Sequence, residues 1–254
     1  MNNEQVMNSP QYNVYIMKID ELLITLAIAM SLCFFVGLIF YENVILSGLF
    51  SLLGILYIPF RKKEQLRKRK NALSLQFKDA LYFISVSLSA GKSLETAILE
   101  SHKSMLGIYP DPECDIIKEL EIMNRRILMN DPVEKVFTDL AERSQIEDVK
   151  SFAQVIMISK RAGANLIEVI KNTSDTIREK IEINQEIENL VAGKKLEQKI
   201  LGIMPFAMVV LLKTGSDYLE PLMKTTYGHI IMTVALLMIL LGQFIANKVM
   251  SIEV

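Results

Sequence analysis

The chain has 254 residues, 51% of them hydrophobic and 22% charged, with a net charge of −1. A balance this close to zero argues against a globally basic nucleic-acid binder, and two distant cysteines, Cys33 and Cys114, argue against a disulfide framework. High apolar and charged fractions in one chain imply segregation, with apolar spans in one place and charge in another.

Residues 1–19 are polar and read as a flexible N-terminal tail. They are no signal peptide, because a basic n-region is missing and the apolar run that follows is too long. Leu22–Tyr41 is twenty residues without a charge, enough to cross ~30 Å of hydrocarbon at ~1.5 Å per residue. Val44–Phe60 is a second uncharged run. Residues 20–60 therefore read as a transmembrane hairpin, with Tyr41, Tyr57 and Phe60 as interfacial aromatics. Next come Arg61, Lys62, Lys63, Arg67, Lys68, Arg69 and Lys70, seven basic residues in ten. Such a cluster directly after a span marks the cytoplasmic side, and a topology signal is the plain reading, with an anionic-lipid or nucleic-acid site as the minor one. Residues 61–199 hold 24 of the 28 Lys and Arg residues and should form a cytosolic helical domain.

Strand signals are nearly absent from that domain. Leu73, Leu75, Phe77, Ala80, Leu81, Ile84 and Leu88 form a helical stripe that ends at Gly91. Glycine suits the left-handed residue that closes a helix. Ser93 then caps a helix opened by Leu94 and continued by Ala97, Ile98 and Ser101 or His102. Ile116, Ile117, Leu120, Met123 and Ile127 mark a third helix. Asp131 is the expected cap of a fourth, with Pro132 as its first residue and Glu134 completing a capping box. Phe152, Val155, Ile156 and Ile158 lead to a second turn at Gly163, after which Asn165 caps a helix opened by Leu166. Nothing breaks that helix before Gly193, and it can lead directly into the short apolar run Ile200–Leu212, where Pro205 should kink it. Ile230–Ala246 is a last span. Residues 200–254 thus read as a C-terminal transmembrane pair, giving four spans with both termini inside; a re-entrant Ile200–Leu212 is the alternative, and would put the C-terminus outside.

Polar groups able to converge on a substrate are few. Glu119 and Glu121 lie on different helix faces, and Asp111, Glu113 and Asp115 alternate around a turn, so these acids read as solvated faces. Gly91-Lys92-Ser93 imitates the end of a phosphate-binding loop but lacks the earlier glycine and follows a helix. His102 reads as a surface residue and His229 as one at a membrane interface. The expectation is a non-enzymatic protein without catalytic, cofactor or metal residues.

The order of AGKSLETAI, RAGANLIEVI, GKKLEQKILGIMP, YLEPL and a last span ending LGQFIANKVMSIEV resembles the F-domain membrane proteins of type II secretion systems. It is most similar to the B- and C-type platform proteins of Tad (Flp-type) pili. The similar region covers about residues 77–212, and its best-matched positions are Gly91, Leu94, Gly163, Leu166 and Pro205. Platform proteins of type II secretion and type IV pili resemble a tandem of two F domains, and this chain has room for one. The resemblance implies an all-α integral protein of the cytoplasmic membrane that receives force from a hexameric secretion ATPase and passes it to pilin-like subunits. It also implies that a second F-domain copy comes from another subunit or from itself. The competing expectation is a membrane-anchored scaffold or signalling protein that dimerises through its cytosolic bundle.

Overall fold

The structure is a computed structural model that describes residues 10–12, 17, 19–41, 43–162, 166–215, 222 and 225–250. The described residues are helical without any strand. In chain order the helices are α1 (Ile19–Tyr41), α2 (Val44–Ser51), a 3₁₀ turn (Leu52–Leu56), α3 (Tyr57–Ser89), α4 (Leu94–Ile108), α5 (Asp115–Leu128), α6 (Val133–Ser144), α7 (Glu147–Ala162), α8 (Leu166–Gly215) and α9 (Thr226–Met250). They divide into two compact units, one of residues 1–16 and 63–183, the other of residues 17–62 and 184–254.

The first unit is a helical bundle. The expected α3 stripe is buried at Leu73, Phe77, Ala80, Leu81, Ile84 and Leu88. It ends where Gly91 takes φ +79°. There the Gly91 N–H donates to the Leu88 carbonyl (3.0 Å) and the Lys92 N–H to that of Ser87 (3.2 Å), which satisfies two carbonyls that the helix end would leave open. Ser93 caps α4 by accepting from the Thr96 N–H at 3.2 Å. At the centre, Phe152 of α7 meets Phe77 and Phe137 edge-on, with ring centroids 5.9 and 5.1 Å away, a favoured aromatic geometry. On α7, Phe152 and Ile156 are buried, whereas Ile158, expected on the same stripe, is 65% exposed.

One cap differs from expectation. Pro132, not Asp131, occupies the cap position of α6, and no side chain caps that helix. Asp131 instead accepts from Arg126 Nε at 2.9 Å. A guanidinium gives the carboxylate a charged partner, a stronger bond than a neutral amide offers. The second glycine turn, Gly163 with Asn165, lies outside the described residues.

The second unit holds the apolar helices. Among the described residues, three stretches are long and apolar enough to cross a membrane: Ile19–Tyr41, Val44–Ser89, whose apolar part lies in its first half, and Tyr227–Val249. Asn43 caps α2, its side chain accepting from the Ile45 and Leu46 N–H groups at 3.0 and 3.5 Å. The hairpin of α1 against α2 and the 3₁₀ turn is closed by glycines. A Cβ on Gly37 would stand 2.9 Å from the Ser47 Cα, and one on Gly54 would stand 2.9 Å from the Met30 amide nitrogen. Close backbone approach at small residues is how helices associate where lipid removes the hydrophobic drive.

Helix α8 is fifty residues long and continues through both Gly193 and Pro205, a length of ~75 Å at ~1.5 Å per residue. Its last third lies along α9. Gln198 Nε2 donates to Asn247 Oδ1 at 2.9 Å, and Gly202 stands directly against the Gln243 amide. Farther along, Phe206 and Val209 join Met232, Leu236 and Ile239 in one apolar cluster with Phe40 and Tyr41 of α1. The residue numbers of α8 rise as those of α9 fall, so the two helices pack antiparallel.

Candidate functional site

The most developed polar site lies inside the bundle, on α5. This helix buries Ile116, Ile117, Leu120, Met123 and Ile127. Glu119 is three residues from Ile116 and four from Met123, so helical spacing carries its carboxylate onto the same face. It is fully buried, which corrects its reading as a solvated acid. A charge so placed must be paired. Arg143 of α6 supplies the partner: its Nη1 and Nη2 donate to Glu119 Oε1 and Oε2 at 2.5 and 2.6 Å. Its Nε donates to Asp139 at 2.9 Å. Arg126 extends the chain of charges, reaching Asp139 at 3.2 Å and Asp131 at 2.9 Å.

A further participant comes from the segment expected to be a loose tail. Tyr12 is completely buried. Its hydroxyl donates to Glu119 Oε1 at 2.8 Å and its N–H to the Arg143 carbonyl at 3.2 Å. Arg143 Nη1 in turn donates to the Pro10 carbonyl at 3.1 Å. Over the Tyr12 ring, 4.8 Å from its centroid, lies the guanidinium of Arg69, within cation–π range. Arg69 is held there by two bonds to Asp115, at 2.8 and 2.7 Å.

Electrostatics follow from this packing. Burial, then the charge and hydrogen bond of Glu119, push the Tyr12 phenol far above its ordinary pKa. Burial works against the charge on Arg143, but Glu119 and Asp139 outweigh it and hold the guanidinium protonated. Glu119 thus accepts from Tyr12 and twice from Arg143. These three bonds join residue 12 and α6 to α5, and the arrangement acts as a fastener.

The residues singled out from the sequence fall elsewhere. Gly91 is the left-handed close of α3, and Leu94, beyond the cap, is buried beneath it. Lys92, in the segment that imitates a phosphate loop, is bound by Glu100 at 2.5 and 2.6 Å, with Ser87 on the same carboxylate at 3.1 Å. Its ammonium clasps the α3–α4 turn. Gly163 lies outside the described residues, as does the side chain of Leu166, which opens α8. Pro205 is half-buried within α8, in the other unit.

Of the basic cluster, Lys62, Lys63, Arg67 and Lys68 are exposed, while Arg61, Arg69 and Lys70 are half-buried. Lys68 pairs with Glu64 at 2.9 Å. Arg69 belongs to the buried site, a role its place in a basic run conceals. For Glu119, read as solvated, the sequence signal of burial was its place between Ile116 and Met123 on the stripe of α5. Tyr12 offered only an aromatic ring two residues after a proline in a polar stretch.

No family model, curated protein or solved structure matches this chain.

Proposed function

We propose that this protein is a non-enzymatic membrane platform for assembling a type IV or Tad-like pilus or a type II secretion pseudopilus. One observation carries the reading. Helix α8 begins among the core residues Ile170, Ile177 and Ile181 and continues unbroken into the apolar residues 200–212. A helix shared by a soluble bundle and a membrane segment passes force along its hydrogen-bonded axis. In this reading the bundle receives motion from a hexameric secretion ATPase, and the spans pass it to pilin-like subunits in the bilayer. A second F-domain subunit, or another copy of this chain, completes the platform.

The topology that goes with this reading has four spans, in the cytoplasmic membrane. Residues 10–12 and the bundle belong to one compact unit, and both must lie on one side of the bilayer. That supports a hairpin of α1 with α2, crossing twice. Residues 200–212 are a short span of their own, supported by their antiparallel packing on α9. Ile200, Leu201, Ile203, Met204, Met208 and Leu211 leave at least half of their surface uncovered, as lipid-facing residues do. Lys199 and Lys213 can snorkel to the two interfaces. The basic residues after the hairpin then place the bundle and both termini in the cytosol.

The test is co-purification of the full-length chain, in a mild detergent, with a secretion ATPase of the same cell. Capture that strengthens with ATP analogues and disappears when surface residues of the bundle are altered supports the platform. Self-association without ATPase capture favours the scaffold reading instead.

A further inference from the structure

The socket of Tyr12 differs from an ordinary core contact because its charges pair with one another whether or not Tyr12 is present. Glu119 keeps two bonds from Arg143, Arg143 keeps Asp139, and Arg69 keeps both oxygens of Asp115. Withdrawing residues 10–12 removes a phenol, two main-chain contacts and the ring beneath Arg69. It strands no buried charge, and breaking a pair is what makes such removals costly. The remaining polar groups are ones that water can solvate. The ion pairs that frame the socket therefore do not depend on Tyr12 for a partner.

It also reads its occupant at several points. Arg143 grips the peptide backbone twice, taking the Tyr12 N–H on its carbonyl and donating to the Pro10 carbonyl. Glu119 requires a hydroxyl donor at the tip of the ring. Arg69 covers the ring face. A phenylalanine would fill the space but leave the Glu119 bond unmade. A phosphotyrosine would set its dianion against Glu119 and Asp115.

We propose that the groove between α3, α5 and α6 is a peptide-docking site, and that residues 10–12 occupy it as a releasable strap. Its ligand class is an extended segment carrying an unmodified tyrosine two residues after an accepting carbonyl. In the closed state the chain supplies that segment itself. Tyr12 is seven residues before the start of α1, so closure ties the segment leading to the first apolar helix onto the bundle, and opening frees it. The open socket takes the same segment from a second copy.

The test uses the full chain in micelles and a fluorescein-labelled peptide of sequence Ser-Pro-Gln-Tyr-Asn, matching residues 9–13. The Tyr12→Ala chain should bind it saturably. Wild type should bind at least about tenfold more weakly, because its own strap competes. A peptide with Phe for Tyr should lose about tenfold in affinity, the worth of a hydrogen bond to a charged group. Absent binding, equal affinities for the two peptides, or a Tyr12→Ala chain that loses its helical circular dichroism would each overturn the proposal, the last because the socket then cannot stand empty. Hydrogen exchange on wild type gives a second reading. The Tyr12 N–H should exchange at least about tenfold faster than the core amides of Met123 and Leu140. Equal protection would mean that the strap leaves only on unfolding, and would also overturn it.

Discussion

Tyr12 and Glu119 are 107 residues apart in sequence, yet the phenol of one donates a 2.8 Å hydrogen bond to the buried carboxylate of the other. Around that bond, α3 contributes Arg69, α5 contributes Asp115 and Glu119, and α6 contributes Asp139 and Arg143. The N-terminal segment thereby closes one side of the bundle. The same contact holds residues 10–12 against the bundle, so it bears on the stability of that unit.

Breaking the central pair from either side should be severe. Glu119→Ala leaves Arg143 buried with Asp139 as its remaining carboxylate partner, and loss of one member of a buried pair costs about 3–5 kcal/mol. A Glu119→Met, Arg143→Met double variant removes both charges and should recover most of the loss. Urea unfolding of the purified chain in micelles, followed by circular dichroism, checks this. A double variant as unstable as Glu119→Ala would contradict the pairing argument.

Alkaline pH should weaken the bundle through its tyrosines. Burial and Glu119 raise the Tyr12 phenol. Burial and a 2.7 Å bond to Asp79 raise that of Tyr109. An unfolded phenol ionises near pH ~10, and the folded ones hold their protons beyond that. Their contribution is therefore complete below pH ~10 and is lost as pH rises further. Thermal unfolding from pH 8 to 11 should show the decline, and it should be shallower in a Tyr12→Phe, Tyr109→Phe variant.

Gly91→Val should destabilise the α3–α4 hairpin by about 1–2 kcal/mol, the cost of placing a side chain in the left-handed region. Space is not the obstacle, since a Cβ there meets nothing within 4 Å. Gly91→Asn, which tolerates that region better, should lose less. Equal losses for the two variants in thermal unfolding would point to something other than φ.

At Gly37 and Gly54 the reverse holds: φ is ordinary and space decides. An added side chain meets backbone of the facing helix at 2.9 Å in both places, and backbone cannot swing aside. Gly37→Leu and Gly54→Leu should each separate the hairpin, seen as faster proteolysis of the reconstituted chain and a lower melting temperature. Gly202→Ala should be milder, because the atoms it meets belong to the flexible end of Gln243.

Local structure was largely legible in the sequence because it rests on local chemistry. The stripe of α3, the left-handed Gly91, the Ser93 cap and the apolar runs of α1 and α9 all depend on neighbours within a few residues. What could not be read depends on partners distant in sequence. Asp131 looked like a helix cap until Arg126 competed for it. Glu119 looked solvated because Arg143, 24 residues on, had no visible reason to meet it. Tyr12 lay in a polar segment whose binding partner forms only once three helices have packed. Helix α8 runs through Gly193 into the apolar run, as its sequence allowed. Gly193 weakens a helix without ending it, and beyond it the packing against α9 holds residues 198–209 in place.

The proposed role is that of a platform in building a surface fibre or pseudopilus. The most direct measurement is deletion of its coding sequence, followed by electron microscopy of surface fibres and assay of secreted protein, with the full chain restored on a plasmid. A platform role predicts loss of fibres or secretion with pilin-like subunits retained in the membrane, and recovery on complementation. Fibres and secretion unchanged after deletion would contradict it.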